Sequence, residues 1–405
     1  MPSPTSFYRY MMLMTSGFIA TAGYTRSTVL LESSRGCDKD DGDNSDDAST
    51  EDTLRVLRQW FQWSKVAHTT DAEVLIKEQN SNNGPLINEL RLKEKYAAPK
   101  YPVVLCHGLS GFDKLMVIPS PAYLIGLSKH NPSARRDFIV ADRDGVALEY
   151  WYGIKEALES KGTTVMVAKV PGFGSIEERA SILNDFITKE VERLRHRPKD
   201  DIYNAQNQSE QTFKQKGEKM KINLVAHSMG GLDARYLISE LENANYEVVS
   251  LTTVTTPHRG SEMADYVLDL SEKLPNRVQI PLPPSFKQLT TEHMKRFNQQ
   301  VKDDPKVHYF SYGAEFNPAW YNIFYASWSI INSRAGPNDG MVSVESSKWG
   351  SYLGTLMNVD HLDLINWTNG FKQIMSSLTP GTRGPQIDSV ALYLEIADNL
   401  AKRGL

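Results

Sequence analysis

The sequence predicts an α/β fold, with a mainly parallel central sheet and helices on both of its faces. Three observations predict it. Strand-like runs at 103–106, 164–170, 222–226, 249–255, 307–312 and 341–344 alternate with helical patterns at 147–160, 176–195, 231–242 and 286–301. Such alternation lays strands side by side in one direction and sends the connecting helices across the sheet. At residues 222–236, I-N-L-V-A-H-S-M-G-G-L-D-A-R-Y, one apolar run passes through a small-residue turn straight into a helical segment. Finally, 405 residues with 40% hydrophobic and 23% charged content suffice for one large core with extensions.

The chain opens on segments that do not belong to this core. Residues 1–36 carry Arg9, Arg26 and Arg35, many hydroxyl residues and a single acid, Glu32, which is the composition of a mitochondrial presequence. The apolar stretch Met11 to Ala22, ending Ala20-Thr21-Ala22, also fits a secretory signal, and an uncleaved tail is a third reading. The stretch is too short and interrupted for a transmembrane helix. Residues 37–52, D-K-D-D-G-D-N-S-D-D-A-S-T-E-D from position 38, form an acidic linker that has too little apolar surface to fold. The main domain, 53–405, starts with a short amphipathic helix at 53–66 carrying Leu54, Val56, Leu57, Trp60, Phe61 and Trp63. That helix either packs on the core or lies on a membrane surface. The polar stretch 198–219 reads as a surface insertion. Asn207 and Asn366 begin glycosylation acceptor triplets, which matter only for a secreted chain.

Composition narrows the function classes. The net charge of −4 supplies no basic face for nucleic acid. Cys37 lies in the polar tail and Cys106 in an apolar strand, so no disulfide is expected, and no Cys/His metal-ligand spacing appears.

The candidate chemistry begins at the turn around Ser228. Its spacing is that of a nucleophile elbow, Gly-x-Ser-x-Gly, with Ala226 in the first Gly position. A Ser at the apex of a strained strand-to-helix turn projects its hydroxyl above the sheet, and its neighbours must be small because strand and helix nearly touch. The helix N-terminus then offers backbone N–H groups to an oxyanion. Taken alone, the stretch is equally readable as a small-residue turn with a buried Ser.

A second piece is Y-P-V-V-L-C-H-G-L-S-G-F-D at 101–113. In a serine hydrolase of this layout, a Gly-containing loop after an early strand supplies one oxyanion donor. Here that donor is the Leu109 N–H, with Met229, just after the nucleophile, giving the other. His107 precedes the nucleophile in that loop and is read as structural, as are His227 and His258. The layout has chain order Ser, acid, His. His361, in N-V-D-H-L-D after the run Ser351 to Met357, is the candidate base, and Asp339, in P-N-D-G-M-V, the candidate acid. Asp360 and Asp363 flank the His and compete for the acid role. Adjacent residues rarely point at each other's ring, so Asp339 is preferred. An ordinary Asp-Gly turn is its alternative reading.

With these motifs in order, residues 98–373 resemble the α/β-hydrolase triacylglycerol lipases, specifically the pseudomonad-type bacterial lipases and their fungal and yeast mitochondrial relatives. The resemblance also rests on Y-W-Y-G-I (150–154), P-G-F-G-S-I-E-E-R-A (171–180), T-T-P-H-R-G-S-E (255–262), N-D-G-M-V-S (338–343), S-S-K-W-G (346–350) and H-L-D-L-I-N (361–366). It implies an α/β-hydrolase fold and a Ser228, Asp339, His361 triad with Leu109 and Met229 as oxyanion donors. It also implies hydrolysis of acylglycerols through an acyl-enzyme, at a lipid droplet or membrane surface. A phospholipase or lipid acyltransferase would use the same triad, and a catalytically silent binding protein on this fold would show a broken one.

Two further features follow from the resemblance. The bacterial members bind a structural calcium near the catalytic His. Here Asp363 falls on one ligand position, the other acidic position falls near Asn317, and the downstream positions are Trp367 and Phe371. A hard cation wants several oxygens with carboxylate charge, so no cofactor is expected and a structural calcium, for which backbone carbonyls could still serve, is the less favoured reading. The apolar segment 262–285, with Leu268, Leu270 and Leu274 and closing prolines, falls where the family hangs its lid. A packed core helix is the alternative.

Overall fold

The computed structural model describes residues 84–109, 114–119, 145–196, 218–242, 245–273, 282–320, 322, 324–366 and 387–405. The expected targeting segment 1–36, the linker 37–52, the helix at 53–66 and nearly all of the 198–219 insertion lie outside them, as do Leu274, Trp367 and Phe371.

The sheet has seven strands in the order β1, β9, β8, β7, β6, β2, β5. They are β1 (Leu86–Ile87), β2 (Val103–Cys106), β5 (Val165–Val167), β6 (Met220–His227), β7 (Tyr246–Val254), β8 (His308–Glu315) and β9 (Ser351–Met357). Every pairing within it is parallel. β3 (Lys114–Pro119) and β4 (Gly145–Glu149) form a separate antiparallel pair. The central strands read as continuous apolar runs because a parallel sheet is covered on both faces.

Alternate residues of β2 show those two faces. Val103 and Leu105 pack with α1 (Ile154–Ser160) and α9 (Ser389–Lys402). Val104 and Cys106 pack with α2 (Ile176–Arg195) and α3 (Gly230–Glu240). α2 buries Ile176, Ala180, Leu183, Ile187 and Val191, a stripe at helical spacing. Each full burial of a large aliphatic side chain contributes about 1.5–3 kcal/mol. The helix starts at a capping box: Ser175 accepts from the Glu178 N–H, and the first-turn acids suit the positive end of the helix dipole. Cys106 is buried in β2, and burial pushes its thiol pKa up.

Several elements differ from the sequence expectation. The strand expected at 341–344 is absent. Asp339 Oδ1 takes the N–H groups of Met341 and Val342, which a strand would offer to a neighbour, and Gly340 turns the chain at φ 94°. Only an isolated bridge, Asn338 to Ser343, remains before the short α8 (Val344–Ser347). The helix expected at 286–301 divides into α5 (Pro284–Gln288) and α6 (Thr291–Gln300), because Thr290 caps a new start by accepting the His293 N–H. The helix expected from 147 begins only at Ile154, since β4 runs to Glu149 and Gly153 turns the chain at φ 71°. The strand expected at 164–170 shortens to β5.

The segment 262–285 opens with α4 (Glu262–Lys273), whose foot is core. Met263 packs on Ile330 and Ile331 of α7 (Tyr325–Ala335), while Val267 is half-buried against the same cluster. Both α7 and α9 were beyond the sequence expectation. α9 is nevertheless written in Leu392, Tyr393, Ile396 and Leu400, with Asp388 capping its N-terminus.

Candidate active site

β6 delivers the chain to Ser228, which adopts φ 56°, a left-handed conformation rare for a residue with a side chain. The turn is held from three sides. The Ser228 N–H donates to Val254 O at 3.0 Å, and the Ser228 carbonyl accepts from Thr256 Oγ1 at 2.7 Å and from the Gly231 N–H at 3.1 Å. Its neighbours have no room for a side chain. A Cβ on Gly230 would meet His107 O at 2.6 Å, and one on Gly231 would meet Thr256 Oγ1 at 2.2 Å. A Cβ on Gly108, across the gap, would meet Ser228 Cβ at 2.6 Å.

His361 reaches Ser228 from the turn after β9. Its Nε2 lies 3.0 Å from Ser228 Oγ, and its Nδ1 lies 2.6 Å from Asp339 Oδ2. Asp339 is fully buried, with its other oxygen held by the Met341 and Val342 N–H groups at 2.9 and 2.8 Å. The His361 N–H also donates to Asp339 O at 3.0 Å. The structure thus brings together Ser228, His361 and Asp339. Asp360 caps its own turn instead, accepting from the Leu362 and Asp363 N–H groups, and Asp363 Oδ2 accepts from the Asp360 N–H.

The three histidines read as structural, His107, His227 and His258, occupy buried positions with partners of their own. His107 Nδ1 donates to Gly108 O, and its Nε2 accepts the Val170 N–H. His258 contacts Thr253 Oγ1 and stacks on Trp349. His227 bonds Tyr150 through Nδ1 at 2.7 Å. Burial lowers the pKa of His227 and His258 well below the ordinary range, reinforced by His361 beside the first and Arg235 beside the second. Both are therefore neutral at physiological pH.

Leu109 packs against one apolar cluster that includes Met229, Ile176, Leu232 and Ala264 from the foot of α4. The loop that carries Leu109 is braced by a residue that sequence reasoning missed. Arg179 is fully buried; it donates to the carbonyls of Pro171, His107 and Gly108 and forms a 2.7 Å ion pair with Asp233. Burial pushes the Asp233 carboxyl pKa up and the guanidinium pulls it back. The signal was present, since Arg179 falls on the apolar stripe of α2 and a charge there demands a partner. Tyr150, buried between the loop and His227, was also missed, because nothing in an aromatic residue's spacing reveals where its hydroxyl points.

The profile of the α/β hydrolase fold matches residues 101–302. Triacylglycerol lipase 2 of Saccharomyces cerevisiae is 45% identical over 345 residues, covering 81% of this chain and 100% of the relative. This chain belongs to the triacylglycerol lipase family of α/β hydrolases. A triacylglycerol lipase of Pseudarthrobacter phenanthrenivorans is 32% identical over 198 residues, covering 48% of this chain and 44% of the relative. One of Pseudomonas fragi is 25% identical over 353 residues, covering 76% and 98%.

Of the positions at which the resemblance places calcium ligands, Asp363 and Asn317 are among the described residues and Trp367 and Phe371 are not. The Asp363 carboxylate is engaged by a backbone N–H, and Asn317 is exposed. Among the described residues no group of three or more His, Cys, Asp or Glu could hold a metal ion.

The close approach of Gly108 generates a prediction. Gly108→Ala must displace the loop or Ser228, and a shift of about 1 Å at a reacting centre costs on the order of 100-fold in rate. The variant is expected to lose at least that much turnover on a soluble short-chain ester while its melting temperature stays near the parent's. Parent-level turnover would show that the loop and the elbow have slack.

Proposed function

We propose that Ser228, His361 and Asp339 are the catalytic triad of this lipase and that its substrates are acylglycerols. One observation carries the reading: an unbroken relay from a buried carboxylate through His361 to Ser228 Oγ, with links of 2.6 and 3.0 Å. His361 takes the Ser228 proton as the oxygen attacks the ester carbonyl. The tetrahedral oxyanion forms against the Leu109 and Met229 N–H groups, where fixed dipoles stabilise developing charge without reorganising. His361 then protonates the departing glycerol oxygen, leaving an acyl-serine. Water, deprotonated by His361, attacks this acyl-enzyme and the oxyanion forms a second time; its collapse breaks the bond to Ser228 Oγ, which takes the proton from His361 as the fatty acid leaves. Asp339 fixes the His361 tautomer and stabilises the imidazolium without taking its proton. A complete relay argues against a silent binding protein. The relatives' names support acylglycerol over phospholipid.

The same reading puts the mouth of the site on a lipid droplet or membrane surface. α4 carries the half-buried Leu268 and Leu270 beyond the residues of its foot that pack on the core, as a lid would. α7 packs beside it and ends a stretch, 316–333, that has six aromatic residues and no charge. Trp320 in that stretch is 79% exposed. Trp and Tyr side chains suit a lipid–water boundary because each has an apolar body and a polar tip. The presequence-like composition of residues 1–36 supports a mitochondrial location.

Four outcomes are expected. A serine-directed fluorophosphonate labels the parent and not Ser228→Ala. Asp339→Asn folds but loses roughly four orders of magnitude in turnover through the wrong tautomer, whereas Asp360→Asn costs far less; the reverse ranking would reassign the acid. Leu268→Asp lowers activity on emulsified long-chain triacylglycerol about tenfold, the cost of weakening apolar burial by about 1.4 kcal/mol, and leaves soluble esters nearly untouched. Equal losses on both would make α4 an ordinary packed helix. Residues 1–36 fused to a fluorescent protein are expected in mitochondria, and glycosylated product at Asn207 or Asn366 would instead place the chain in the secretory route.

A further inference from the structure

The hydroxyl of Tyr150 sits at a junction that the triad does not account for. Its oxygen accepts the Gly108 N–H at 2.9 Å and lies 2.7 Å from His227 Nδ1. A phenol has one proton. Since the Gly108 N–H donates to that oxygen, the phenolic proton goes to His227 Nδ1. This fixes the His227 tautomer, with the ring proton on Nε2. Neutral His227 is the form that burial and the adjacent His361 favour. Tyr150 is the partner of the His227 Nδ1, and the His361 main chain is a second polar group that the His227 ring meets.

Both ends of this short chain touch the reacting groups. Gly108 precedes Leu109, the oxyanion donor, and contacts Ser228 closely. His227 precedes Ser228, and its ring lies 4.6 Å from the His361 ring, tilted by 43°. Asp339 holds His361 at Nδ1, and His227 supports one side of the ring. The Tyr150 ring is itself fixed between His107, Trp151 and His227, with centroids at 5.5, 5.1 and 6.0 Å. Trp151 is in turn set edge-on to Tyr393 of α9.

We propose that Tyr150 is a positioning residue, whose hydroxyl locks the oxyanion loop and the His227–His361 ring pair into one geometry. The inference rests on the catalytic reading of Ser228 and His361. It adds that the oxyanion donor and the base are set by a common hydroxyl. No proton is transferred along the chain. The hydroxyl works by occupying Gly108 N–H and His227 Nδ1 together, so neither is free to pull its segment elsewhere. Without it, two buried polar groups lose their partner at once, and each must move or draw in water.

Tyr150→Phe keeps the ring and removes the oxygen, so it tests this directly. On a soluble short-chain ester, kcat is expected to fall about 10- to 100-fold, the effect of a sub-ångström to 1 Å misplacement, with KM within twofold of the parent. Affinity for a boronic acid, which mimics the tetrahedral intermediate, is expected to fall by a similar factor. His227→Leu removes the acceptor and the ring and is expected to lower kcat too. Adding Tyr150→Phe to it should then cost less than Tyr150→Phe alone, because the two act through one linkage. His227→Asn keeps an acceptor near the Nδ1 position and is expected to retain more activity than His227→Leu. Three results would overturn the proposal: a fall in melting temperature with parent kcat and boronate affinity, a change confined to KM, or additive losses in the double variant. Failure of the catalytic reading itself would appear separately, as a parent enzyme whose hydrolysis survives Ser228→Ala.

Discussion

The site depends on one constraint: Ser228 must hold a left-handed backbone conformation while it carries a side chain. Such a residue costs on the order of 1–3 kcal/mol and persists only where its surroundings over-determine it. Here they do so through backbone contacts. β7 grips the Ser228 N–H through Val254, and Thr256 and Gly231 grip its carbonyl. The loop after β2 then closes over the turn, and only Gly108 is narrow enough for that approach. Because three adjacent strands supply the contacts, the nucleophile is placed by the centre of the sheet, the part of the fold hardest to deform.

Closing three chain segments over one turn leaves many peptide groups in need of partners away from water. That explains the polar residues packed around so apolar a site. Arg179 answers three carbonyls, His107 answers Gly108 O and the Val170 N–H, and Tyr150 answers the Gly108 N–H. Each is fixed by a further neighbour: Arg179 by Asp233, and Tyr150 by His227. Ser228 and His361 therefore rest on a buried polar layer.

The grouping of Ser228, His361 and Asp339 was legible in the sequence because each lies in a local pattern. A small-residue turn after an apolar strand marks Ser228, and an Asp-Gly turn marks Asp339. The α/β alternation likewise made most strands and α2 and α3 readable. The run Met341 to Val344 misled because its apolar pattern is real but serves a different purpose. Val342 and Val344 are buried, yet the Asp339 carboxylate consumes the N–H groups that a ladder would use. The 286–301 helix misled because Thr290 offers its oxygen to a new helix start, a choice that periodicity does not record. Tyr150, Arg179 and Asp233 meet only through folding, with Arg179 and Asp233 separated by 54 residues. Their pairing could be inferred only from a charge on a buried stripe. β1 is two residues long and exists through its pairing with β9, so it has no pattern of its own.

Asp339 holds His361 twice, once through its carboxylate to the ring and once through its carbonyl to the main-chain N–H. Asp339 and His361 are thus held together, in the turns that follow α7 and β9, while Ser228 sits separately at the end of β6. Between the two mounts there is a single joint. Thermal motion, or strain imposed by a bulky ester, is taken up at the Ser228–His361 gap and leaves the His361–Asp339 link unchanged. What can vary from one ester to the next is the distance between Ser228 Oγ and His361 Nε2, 3.0 Å at rest.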